Sequence, residues 1–143
     1  SANIADCESD FILLAPNERG ERIQILIGEC KTRGPISEQD VANLRRVADA
    51  FPAETYDVYI VFAKLAEFGA DEIRHIRALN DDDRRRAIML TTRELEPWYI
   101  YERTEKIFDI TMHAVTFQEM ADNTHDIFIE PRLLPVDAAP QGA

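Results

Sequence analysis

With 143 residues, 45% of them hydrophobic, the chain suits one domain with a sizeable core. No apolar run approaches the roughly 18–20 residues needed to span a bilayer, and SANIADCESD lacks both the basic and the apolar stretch of a signal peptide, so no membrane partner is expected. A net charge of −11 opposes generic attraction to a polyanion, which rests on Lys and Arg meeting phosphates.

Two features would offset that charge in a nucleic-acid enzyme. Acidic residues are what hold Mg²⁺, and an upstream domain of the same protein could supply the basic surface. The chain does not begin with Met, so a fragment of a longer protein is expected. Cys7 and Cys30 have neither zinc spacing nor the look of a disulfide framework, which points to a reducing cytoplasm.

In chain order, DFILLA at 10–15 predicts a short strand, closed by Pro16-Asn17. The loop up to Gly20 suits a hairpin connection. RIQILIGECKT at 22–32 is the strongest strand signal. Ile23, Ile25, Leu26 and Ile27 form the nearly continuous apolar run of a central strand buried on both faces. Ser37 and Asp40 make a capping-box pair for a helix over 37–51, with Val41, Leu44, Val47, Ala48 and Phe51 on one side and Pro52 ending it.

DVYIVFA at 57–63 predicts a further strand, Ile73, Ile76 and Leu79 a helix over about 70–79, and AIMLTT at 87–92 another strand. DDDRRR at 81–86 suits a solvated turn. WYIYERTEKIF at 98–108 is expected to be helical, and Thr116 with Glu119 offers a capping box for a helix over about 117–127. Strands alternating with helices predict an α/β sheet with parallel pairs.

Chemistry concentrates where the central strand runs out. Strand side chains alternate, so Glu29 and Lys31 share a face and Cys30 points to the other, as a core thiol. Charged groups there are costly to desolvate unless paired or bound to a metal. The hairpin brings Asp10 beside Glu29. Two carboxylates suffice for Mg²⁺ or Mn²⁺, with the Cys30 backbone carbonyl as a further ligand. A nearby lysine can steady the charge that develops on a phosphorane. A simple Glu29–Lys31 salt bridge, worth little, is the plain alternative. Lysine is rare here, at positions 31, 64 and 106 only, and Lys64 and Lys106 are expected to be neutral to any cleavage.

The pattern Asp10 … Glu29-Cys30-Lys31, with a hairpin between and an amphipathic helix after, resembles the PD-(D/E)xK nuclease superfamily. The stretch ILIGECKTRGPISEQDVANL is similar to its Mrr-like and related restriction-endonuclease-like branches, and the resemblance covers about residues 5–65. Ser9 stands where the motif has Pro, and Asn43 where a Gln-x-x-x-Tyr signature starting at Gln39 would have Tyr. The helix that precedes the family's first strand is absent or lies upstream.

The resemblance implies a restriction-endonuclease-like mixed α/β sheet over residues 1–130, with a β-hairpin carrying the active site and helices on both faces. Residues 131–143 read as a disordered tail. It also implies a Mg²⁺- or Mn²⁺-dependent endonuclease, with DNA ahead of RNA as substrate and Asp10, Glu29 and Lys31 as catalytic residues. Such a domain would be the effector part of a restriction, defence or repair protein, and a homodimer is compatible with it. The charge of −11 favours the alternative, a catalytically silent scaffold or protein-interaction module.

Around this core, Glu8 is an auxiliary candidate for a second metal, and Arg33, Arg45 and Arg46 are candidates for clamping phosphate. His75, His113 and His125 lack metal spacing. Trp98, Tyr99 and Tyr101 could stack on bases, although packing is the favoured role.

Overall fold

The computed structural model describes residues 9–16, 22–80, 84–95, 114 and 116–131. Within them the chain forms β1 (Phe11–Ala15), β2 (Ile23–Lys31), α1 (Glu38–Asp49), β3 (Tyr56–Lys64), α2 (Ala70–Arg77), β4 (Ala87–Leu90), a single turn α3 (Thr92–Leu95), α4 (Phe117–Thr124) and a π-helical turn (His125–Ile129). The expected hairpin turn, the expected helix over 98–108 and the tail beyond Pro131 lie outside the described residues.

The strands make one mixed sheet in the order β1-β2-β3-β4. β1 runs antiparallel to β2, while β2 and β3, and β3 and β4, run parallel. The apolar run in β2 is buried except at its start, where Ile23 is 41% exposed at the edge of the covered surface. Ile25, Leu26, Ile27 and Gly28 are buried in succession because both faces are covered.

One face carries Ile25, Ile27, Ile60, Phe62 and Met89 against Val41, Leu44 and Val47 of α1 and Ile76 of α2. The other carries Leu26, Tyr59, Val61 and Ile88 against Ala121, Phe117 and Met120 of α4. Helices therefore cover both faces. Ile129 of the π-helical turn joins the first cluster, so the chain wraps from one face to the other past β4.

Both capping boxes form. Ser37 Oγ accepts the Asp40 N–H while the Asp40 carboxylate accepts the Ser37 N–H, and Thr116 and Glu119 do the same for α4.

Two expectations need correction. β4 stops at Leu90, because buried Thr91 gives its N–H (2.9 Å) and its hydroxyl to Glu94, and the chain turns into α3. The described part of the 81–86 run is not a freely solvated turn. Arg84, Arg85 and Arg86 are part-buried and reach Asp57 (3.1 Å), Asp126 (3.1 Å) and Asp49 (3.0 Å), tying the start of β4 to elements on both sides of the sheet.

Candidate active site

The hairpin and the first parallel strand place the candidate residues. Asp10 lies just before β1, at the point where pairing with β2 ends. Its N–H goes to the Gly28 carbonyl (3.0 Å), and its Oδ2 accepts the Cys30 N–H at 2.6 Å. That hydrogen bond sets the Asp10 carboxylate over the last residues of β2.

Gly28 makes the close approach possible. It pairs with Phe11, and a Cβ there would fall inside the space of the Phe11 ring and 3.0 Å from the Val61 carbonyl oxygen. The absent side chain lets β1 lie tight against β2 and carry Asp10 to the strand end.

Glu29 and Lys31 share a face, as alternation requires, and meet as an ion pair with Nζ 2.5 Å from Glu29 Oε1. Lys31 Nζ also lies 3.4 Å from Asp40 Oδ2, in the first turn of α1. Asp10, Glu29, Lys31, Asp40 and Asn43 line one open pocket of about 290 Å³. It sits at the carboxyl end of the parallel strands, where open α/β sheets generally place ligands.

The electrostatics follow from those contacts. The Glu29 hydrogen bond, aided by the Glu29 and Asp40 charges, raises the Lys31 pKa and outweighs its partial desolvation. For Asp40, burial pushes the carboxyl up. The Ser37 N–H and hydroxyl together with Lys31 outweigh that and leave it below its ordinary value. Lys31 is thus held as an ammonium ion at neutral pH, suited to stabilising negative charge and unsuited to act as a base.

Asp40 and Asn43 are the pocket residues that sequence reasoning missed. Asp40 had a complete explanation as a capping residue, and its reach to Lys31 depends on where α1 docks. Asn43 lies one helical turn further on, and its Oδ1 accepts from Gln39 (2.7 Å) and Arg46 (2.8 Å).

Other candidates fall elsewhere. Cys30 is exposed and is not a core thiol. Partial desolvation, with Asp10 and Glu29 beside it, still pushes the thiol pKa up. Arg45 points away from the pocket, to the Ala78 carbonyl (3.3 Å) and Asp49 (3.7 Å), which corrects its auxiliary assignment. Arg33 is exposed in the loop after β2, where Gly34 takes φ +80° to turn the chain toward α1. Glu8, His113, Trp98, Tyr99 and Tyr101 lie outside the described residues.

Lys64 is far from peripheral. It is buried and lies 2.8 Å from each carboxylate oxygen of Glu72. His125 is buried with Nδ1 3.5 Å from Asp126. Among the described residues, no group of three or more His, Cys, Asp and Glu side chains converges in a way that could hold a metal ion. A magnesium site needs less, since one or two carboxylates with retained waters suffice, and Asp10 and Glu29 fit that donor set. Among the described residues, no helix is long and apolar enough to cross a membrane. Compared with known proteins, the chain matches no family model, no curated protein and no solved structure.

Proposed function

We propose that this chain is a metal-dependent nuclease domain that hydrolyses DNA phosphodiester bonds, built on a restriction-endonuclease-like version of its mixed sheet. One observation carries the reading. Asp10, just before β1, and Glu29 and Lys31, at the end of the antiparallel neighbour β2, line a single pocket at the carboxyl end of the parallel strands.

Asp10 and Glu29 supply hard carboxylate oxygens for Mg²⁺ or Mn²⁺, with the Cys30 carbonyl as a further donor. When bound, such an ion lowers the pKa of a coordinated water and polarises the phosphoryl group. Lys31, kept protonated by Glu29 and Asp40, stabilises negative charge on the substrate phosphate as the bond breaks. Asp40, with Oδ2 3.4 Å from the Lys31 ammonium, is its second carboxylate partner. Arg33, exposed two residues beyond Lys31, would meet a neighbouring phosphate.

The net charge of −11 favours a second reading, in which the same fold serves as a silent scaffold facing a protein partner. Cleavage of plasmid, single-stranded DNA and RNA with Mg²⁺, Mn²⁺ and EDTA separates the two. Low salt is essential, because an acidic domain binds phosphate backbones weakly. Metal-dependent cleavage that Lys31→Ala reduces about 10²–10³-fold supports the enzyme. Its absence on every substrate leaves the scaffold.

A further inference from the structure

Directly beside the part-exposed Lys31–Glu29 pair lies a second lysine–carboxylate pair, which is buried. Lys64 ends β3 in register with Lys31 at the end of β2. Its ammonium sits 2.8 Å from both oxygens of Glu72 and 5.5 Å from the centre of the Phe68 ring. The Glu72 carboxylate also accepts two backbone N–H groups, from Ile36 at 2.6 Å and from Gly69 at 2.7 Å. One buried carboxylate therefore ties the β2–α1 connection to the β3–α2 connection, both at the carboxyl end of the sheet.

Ile36 is the residue before the Ser37 cap of α1, and Asp40 is fixed to that cap by two reciprocal hydrogen bonds. We infer that Glu72, neutralised by Lys64, is the positioning residue of the candidate site: it anchors the start of α1 and thereby holds Asp40 against Lys31. Sequence separation and chemistry both suit the role. Ile36 is 36 residues away from Glu72, so no local turn requires this contact. A desolvated carboxylate with three donors in fixed directions sets geometry more tightly than apolar packing does. Lys64 is then not a neutral bystander, because an unpaired charge at Glu72 could not stay buried.

Amide hydrogen exchange tests this in the full chain, since the Ile36 N–H is bonded to Glu72 and the Ser37 and Asp40 N–H groups to the α1 cap. In Lys64→Met/Glu72→Leu an apolar pair replaces the ion pair, an exchange that often leaves stability unchanged or improved. There, the amides of Ile36, Ser37 and Asp40 should exchange at least about 10-fold faster, the size of a lost buried hydrogen bond. In Lys64→Met/Glu72→Gln an acceptor oxygen remains for Ile36, and protection there should return most of the way. Glu72→Asp keeps the charge opposite Lys64 but shortens its reach; it should behave like the leucine variant and serves if that protein does not fold.

Wild-type exchange at Ile36, Ser37 and Asp40 in both the leucine and aspartate variants overturns the inference. So does acceleration shared equally by Ile60 and Val61 of β3, which would mean general destabilisation. The activity arm rests on the proposed function. If the wild type cleaves, both variants should lose at least about 10-fold in kcat with KM little changed, as expected when a group acting only in the transition state is misplaced. If it does not cleave, the proposed function falls while the exchange measurement still decides the role of Glu72.

Discussion

Lys31 and Lys64 occupy paired positions on adjacent parallel strands, yet Lys31 opens onto a pocket while Lys64 is sealed against Glu72. The difference comes from what lies above each strand end. The β3–α2 connection brings Phe68 and Glu72 over Lys64, whereas the first turn of α1 stands beside Lys31 and leaves it on the pocket.

That asymmetry predicts opposite stability effects for the same substitution. Lys31→Met removes part-exposed ion pairs and should change unfolding free energy by no more than about 1 kcal/mol. Lys64→Met leaves Glu72 buried without its counter-ion and should cost about 3–5 kcal/mol. Urea unfolding of the two variants measures both. Equal effects would mean that the burial of Lys64 contributes nothing.

The buried pair also predicts an acid dependence. Burial raises the Glu72 pKa, but the Lys64 hydrogen bond, the Gly69 and Ile36 N–H groups and the Lys64 charge outweigh it, so the folded value lies below the ordinary 4.5. Between the two values the unfolded chain binds a proton that the folded chain does not, so stability falls as pH falls. The contribution is complete above the unfolded value and is lost as pH drops through the folded one. Asp40, also lowered, acts in the same direction. Urea midpoints taken from neutral pH downward should therefore fall less steeply in Lys64→Met/Glu72→Leu than in wild type.

Gly28 predicts a steric coupling across the hairpin. A methyl group there must displace the Phe11 ring, and overpacking of this kind costs about 1–3 kcal/mol. Gly28→Ala should be markedly less costly in a Phe11→Ala background, leaving the tighter approach to the Val61 carbonyl as the residue of the effect. Because β1 carries Asp10, the single variant should also impair any function of the pocket. Additive costs in the double-mutant cycle would contradict the coupling.

The parts of this architecture that were legible in the sequence are those governed by short periods. The two-residue alternation of Glu29 and Lys31, the apolar run of β2, the 3–4 spacing from Val41 to Val47 and both capping boxes depend only on near neighbours. What escaped depends on docking. Asp40 reaches Lys31 because of where α1 lands, and Lys64 is buried because α2 returns over the end of β3. The strand read through Thr92 stopped early because Glu94 offers Thr91 a better partner than a neighbouring strand does. Cys30, expected in the core, is exposed because it lies at the very end of β2, past the cover of α4.

The last prediction concerns the metal, and it depends on choosing a substitution that leaves the hairpin intact. Asp10 does two jobs in the proposed site: one carboxylate oxygen accepts the Cys30 N–H at 2.6 Å, and the group supplies negative charge to a cation. Asp10→Asn keeps a carbonyl oxygen able to accept that hydrogen bond while removing the charge, so its melting temperature without metal should stay close to wild type. An ion that binds only the folded chain stabilises it by RT ln(1 + [L]/Kd), about 2.7 kcal/mol at one hundred times Kd. Wild type should therefore melt higher as Mn²⁺ or Mg²⁺ is added, and Asp10→Asn should lose most of that rise. Glu29→Gln should lose it too, while also releasing Lys31 from its closest partner. Asp57→Asn is the control, because Asp57 pairs with Arg22 and Arg84 at the start of β3 and faces no part of the pocket. If metal raises the melting temperature of Asp10→Asn and Glu29→Gln as much as that of wild type, the ion binds elsewhere on this acidic surface and the two carboxylates are not its ligands.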